Sequence, residues 1–210
     1  MPEGVAAARP PSPLRRFGGT GGAALIDIIV AVALCGLMAA IAVPVVGGTL
    51  ERERTIVGAQ YLAGHLLRAR LESLKRARSV AVRLEVVGDR TQMRLFADGN
   101  GNGVLQRDID RGIDPPLTGA EWLDDQARGI SLRVNQAITD VSGSSQLEPG
   151  DDPLRIGNTA LLTFSPIGSA TSGTLYVAAH RGPQMAIRVF GATARVRVLM
   201  FDAQTRQWHS

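Results

Sequence analysis

The sequence predicts an α+β fold: a long N-terminal helix, membrane-spanning in its first part, continuing into a globular domain of antiparallel β-sheet packed on its C-terminal half. Three observations predict it. The run Ile28–Gly48 carries no charge for 21 residues, about the length a helix needs to cross the hydrocarbon layer. Beyond it, apolar residues recur at helical spacing to about Arg78, and after that the apolar period changes to two. A single long helix followed only by strands argues for a sheet laid against that helix.

Residues 2–22 are rich in Pro, Gly, Ala and Arg with no apolar period, so nothing there offsets the entropy of ordering them. They read as a leader over 1–22. The apolar helix follows over 23–48. Arg15 and Arg16 precede it, and the mixed stretch Glu51-Arg52-Glu53-Arg54 follows it. That asymmetry sets the N-terminus in the cytoplasm and the rest of the chain outside it. Asp27 stands at the mouth of the apolar helix, where a buried charge is costly unless a cation meets it. A place in the headgroup layer, against the positive end of the helix dipole, suits it equally. Cys35 is the only cysteine, so the domain is expected to hold together by packing alone, without an internal disulfide.

From 49 to 79 the helix continues as an amphipathic one, with Leu50, Val57, Leu62, Leu66, Leu67, Leu71 and Leu74 expected on the packed side. From Leu25 to Arg78 it would be on the order of 80 Å long. The domain over 80–210 opens with alternation in Val80–Val86 and Gln92–Phe96 around Gly88-Asp89, a hairpin signal. Further strands are expected at Ala160–Phe164, Thr174–Ala179, Gln184–Phe190 and Ala194–Phe201. The polar stretch Gln136–Asn158 reads as a surface loop.

Charge excludes little. Twenty-three basic against 19 acidic residues give a net +4, and loss of residues 1–22 lowers it to +2, which permits nucleic-acid binding without demanding it. The three histidines, His65, His180 and His209, lie far apart and near no nucleophile or metal motif, so no enzyme is expected. Trp122 and Trp208 read as packing. Asp98-Gly99-Asn100-Gly101-Asn102-Gly103 has oxygen ligands at alternate positions and a glycine at the sixth, the opening of a calcium loop. Its twelfth position is Ile109, with Asp108 and Asp110 beside it. Calcium held by Asp98, Asn100, Asn102 and Asp108 is one reading, and a Gly/Asn turn that needs no cofactor is the other. Arg195 and Arg197 fall on one face of a strand.

Gly21-Gly22-Ala23-Ala24-Leu25-Ile26-Asp27-Ile28-Ile29-Val30 resembles the class III signal of type IV pilins and type II secretion pseudopilins. The resemblance implies a prepilin peptidase cut between Gly22 and Ala23 with methylation of the new N-terminus, Asp27 as the fifth-position acid of assembly, and Pro44 as the helix-bending proline. Two positions differ from the family pattern, Ala23 for phenylalanine and Asp27 for glutamate. Leu162-Thr163-Phe164-Ser165-Pro166-Ile167-Gly168, then Gly173-Thr174-Leu175, Arg181-Gly182 and Ala194-Arg195-Val196-Arg197, resemble the narrower GspH/FimT branch. What this implies is a minor pseudopilin or minor type IV pilin at the bacterial inner membrane, its C-terminal domain periplasmic. Its partners would be other pilins or pseudopilins, prepilin peptidase and the inner-membrane assembly platform. In DNA-uptake members a Gly-Arg-x-Arg pair contacts phosphates, which makes Arg195 and Arg197 candidates for nucleic acid; Ala194 stands where that glycine would be. An uncleaved membrane-anchored β domain is the remaining alternative.

Overall fold

The computed structural model describes residues 21–157 and 159–210, with side-chain surroundings for all of these except 21–24 and 41–47. The expected leader therefore lies outside the described residues, but for the backbone of Gly21 and Gly22. The chain divides into two units, Met1–Val45 and Val46–Ser210.

Helix α1 runs Gly21–Arg76. In the first unit its apolar side chains from Leu25 to Met38 are 50–72% exposed. The expected fold class is corrected on this element. Among the described residues no helix is long and apolar enough to cross a membrane. The rest of the chain is a β-rich domain of several sheets.

In the second unit, α1 is followed by β1 (Val80–Val87), β2 (Arg90–Ala97), the short helix α2 (Gln106–Asp110), β3 (Glu121–Trp122) and α3 (Leu123–Gln126). Then come β4 (Ser131–Leu132), β5 (Ile138–Thr139), β6 (Gln146–Leu147), β7 (Leu154–Arg155) and β8 (Leu161–Phe164). The chain closes with β9 (Gly173–Ala178), β10 (Met185–Phe190), β11 (Arg195–Asp202) and β12 (Gln207–His209). One sheet has the order β3-β2-β1-β8; a second has β12-β11-β10-β9-β4 with β7 also against β9; β5 and β6 form a third. These strand pairings are all antiparallel. The β1–β2 hairpin turns at Gly88, whose φ is +61°, where a side chain would be strained.

The main core joins the second half of α1 to both large sheets. Ala59, Leu62, Ala63, Leu66 and Ala69 meet Val82, Leu84, Met93, Leu95, Leu162 and Phe164 of one sheet and Leu175, Val177, Ile187 and Val189 of the other. The spacing is that of one helix face, and three of its five residues are alanines, which lets the strands approach closely. The expected packed face is thus shifted. Leu62 and Leu66 are buried, whereas Leu50, Val57, Leu67, Leu71 and Leu74 are exposed. The helix ends in a Schellman arrangement: Arg78 N–H donates to Ser73 C=O and Ala77 N–H to Leu74 C=O, both at 3.3 Å. Ala77 takes φ +50° where glycine is usual.

The segment expected to be a plain surface loop is also corrected. Its residues Ile138 and Leu147 are fully buried with Val134, Tyr176, Ala186 and Phe201, making the β5–β6 hairpin a lid on the outer face of the second sheet. Trp208 packs there, its Nε1–H donating to Thr139 C=O at 2.7 Å. Tyr176 donates to Asp140 and accepts from Val141 N–H at 3.0 Å. Burial pushes the Asp140 carboxyl up, but hydrogen bonds from Ser142, Tyr176 and Ser144 together hold it below its ordinary value.

Candidate functional site

Three groups of residues singled out from the sequence occupy different parts of the molecule. Gly22, Ala23 and Pro44 lie on α1 with surroundings outside the described residues. Asp27 is on the same helix and exposed, one acid among exposed aliphatic side chains.

The Asp98 loop covers one end of the outer face of the first sheet. Val104 is buried there with Ala81, Phe96 and Leu161, and Ile109 packs against them. This explains why the twelfth loop position is apolar: Ile109 is an anchor into the sheet. Asp98 accepts from the backbone N–H groups of Asn100 (3.2 Å), Gly101 (2.6 Å) and Gly103 (3.0 Å). Asp108 receives the side-chain amides of Asn100 at 3.4 Å and Asn102 at 3.0 Å. The Asn102 bond first, with Asn100 and Arg107 behind it, holds the Asp108 carboxyl below its ordinary value. Asp114, which no sequence motif marks, accepts from Gly99 N–H (2.9 Å) and Leu105 N–H (3.0 Å), and so closes the loop at both ends. Asp98, Asp108 and Asp114 are all buried. The four expected oxygen-bearing residues do come together, with the loop's own amides as partners. Among the described residues no group of three or more His, Cys, Asp or Glu side chains is arranged to hold a metal ion.

Arg195 and Arg197 both project from the exposed side of β11. Strand register adds two arginines to them. Arg197 stands opposite Arg188 on β10, Arg188 opposite Thr174 on β9, and Thr174 opposite Arg155 on β7. Residues directly opposite share a face, so Arg155, Thr174, Arg188 and Arg197 form one row across four strands, about 14 Å at the usual strand spacing. Arg188 donates to Thr174 Oγ1 at 2.7 Å and lies 6.0 Å from the Phe190 ring. None of these four arginines has a carboxylate partner among the described residues. The row lies on the sheet face whose other end the β5–β6 lid covers, since Tyr176, Ala186 and Phe201 belong to that face. Four cations on one sheet face attract an anion that carries several charges. The signal for Arg188 was present in the sequence, but only the register of the β10–β11 hairpin brings it beside Arg197.

The histidines remain apart, each beside a different carboxylate: His65 and Glu121 at 3.1 Å, His180 and Asp89 at 3.8 Å, His209 and Asp202 at 4.0 Å. No family model matches this chain, and neither a curated protein nor a solved structure does.

Proposed function

We propose that this chain is a minor pseudopilin or minor type IV pilin, a structural subunit of a type II secretion pseudopilus or a type IV pilus. The observation that carries the reading is the exposed aliphatic first part of α1, charged among its described residues only at Asp27. Each such side chain, once buried, contributes about 1.5–3 kcal/mol, so helices of this kind associate. An acid within that surface needs a cation, and the α-amino group freed by cleavage after Gly22 on a neighbouring copy supplies one. Ala23 is then the new N-terminus and Asp27 the assembly acid. Prepilin peptidase, other pilins or pseudopilins and the inner-membrane platform are the partners, and the β-rich domain is periplasmic. The membrane enters through those partners; no span is assigned to α1. This is an assembly role without catalysis.

Co-expression with a filament system tests it. Wild-type protein is expected in the sheared filament fraction, and Asp27→Ala and Ile29→Arg are expected to stay with the cells. Wild-type protein that is cleaved yet never enters filaments would contradict the assembly role.

A second reading, capture of nucleic acid, is favoured by the row Arg155, Arg188 and Arg197 with Arg195 beside it. Such binding is electrostatic and weakens steeply with salt. The two readings concern different surfaces and are compatible in one subunit.

A further inference from the structure

The outer face of the β1–β2 hairpin holds an uneven arrangement of charge. Arg83 on β1 stands directly opposite Arg94 on β2, and Glu85 opposite Gln92. Like charges directly opposite on antiparallel strands are unfavourable. Glu85 pairs with Arg83, which neutralises one of the two guanidinium groups. The Arg94 side chain has no ion pair or hydrogen bond among the described residues, and its Nε is buried without a partner. A buried N–H left unpaired is a cost that native structures rarely carry. Arg83, Glu85, Gln92, Arg94 and Phe96 together line a hollow of about 30 Å³, room for a group of only a few atoms.

We propose that this hollow is a binding site for a single carboxylate group, taken by Arg94. Charge sets the ligand's sign and size: two guanidiniums and one carboxylate leave one positive charge, which one monoanion balances. Shape sets its geometry, because a planar carboxylate matches the guanidinium fork. Gln92 supplies a further amide donor at the rim, and buried Phe96 walls off water on one side. Inorganic phosphate carries more charge than the single positive charge that Arg83, Arg94 and Glu85 leave, and a metal cation is repelled by both arginines. The site stands independently of the filament reading.

The test uses the full chain, kept soluble in nonionic detergent and labelled with ¹⁵N-arginine. The Arg94 Nε–Hε resonance is followed while acetate replaces chloride at constant ionic strength. A second titration uses glutamate blocked at both ends, which separates a free ion from a side chain offered by a partner protein. A saturable shift with either probe is expected. Glu85→Gln, which frees Arg83, is expected to tighten binding about two- to fivefold. Arg94→Met is expected to abolish the acetate-dependent rise in Tm that the wild type shows. The site is refuted if neither probe shifts the resonance beyond the chloride control, if Arg94→Met keeps the acetate response, or if phosphate binds more tightly than acetate.

Discussion

His65 shows how one residue couples α1 to the first sheet. It is buried, its Nε2 lies 3.1 Å from Glu121 on β3, and Tyr61 donates to the same carboxylate oxygen at 3.0 Å. Its Nδ1 is buried with no partner, so protonation would add an N–H that nothing accepts. Burial pushes its pKa below the ordinary value and Arg68 adds to this, while Glu121 pulls the other way. A depressed folded-state pKa means the unfolded chain binds the proton first. Stability is therefore full above about pH 6.5, the unfolded value, and falls as pH drops below it toward the folded pKa. Urea unfolding between pH 8 and pH 5 should show this loss in the wild type and lack it in His65→Leu. An equal loss in the variant would show that His65 does not carry it.

Two residues of the Asp98 loop belong to the same scale. A Cβ at Gly99 would lie 1.9 Å from the Ile113 carbonyl oxygen, with backbone on the far side. Gly99→Ala should cost more than about 2 kcal/mol, in the range of backbone clashes. Asp114→Ala would leave the N–H groups of Gly99 and Leu105 without their acceptor, at about 1–3 kcal/mol each if they stay buried. Amide hydrogen exchange should quicken at those two positions first. Unchanged protection there would mean that Asp114 does not close the loop.

At the scale of elements, the C-terminus of α1 offers a gain. Ala77 in a left-handed conformation carries a steric cost that glycine avoids, so Ala77→Gly should stabilise the fold by about 0.5–1 kcal/mol, read as a shift in urea midpoint. The arginine row is likewise a property of strands. If it binds single-stranded DNA, Arg188→Ala and Arg197→Ala should each flatten the slope of log K against log salt by about 0.7 to 1. A slope that neither variant changes would remove the row from any DNA contact.

Elements also show what could be read from the chain. The strands β1 and β2 announce themselves by alternation because each has one face on the core and the other less covered, and the expected β1–β2 hairpin is found with its turn at Gly88 and Asp89. The faces of α1 did not announce themselves. Leucines lie on two sides of it, and the side on the sheets is the one with Ala59, Ala63 and Ala69, whose small size permits close packing that a hydrophobic pattern under-weights. The β5–β6 lid was illegible for another reason. Its strands are two residues each, too short for a period, and Ile138 and Leu147 are buried by tertiary contact with Tyr176 and Phe201. The Arg188–Arg197 pairing and the Asp114 closure depend in the same way on register and on a return of the chain, which no local pattern encodes.

At the scale of the whole molecule, the two units contrast in how they treat apolar surface. The unit from Val46 onward buries a single large core between α1 and two sheets. Among the described residues of the unit before it, the larger aliphatic side chains from Leu25 to Met38 are exposed, a surface that association would remove from water. The proposed assembly subunit would use that contrast, and processing at the N-terminus would be its decisive step. The direct measurement is the intact mass and N-terminal sequence of the chain co-produced with an active prepilin peptidase, beside a Gly22→Leu variant. The account predicts a mature chain that begins at methylated Ala23 in the wild type and an uncut chain in the variant. A wild-type chain that keeps residues 1–22 despite an active peptidase would contradict it.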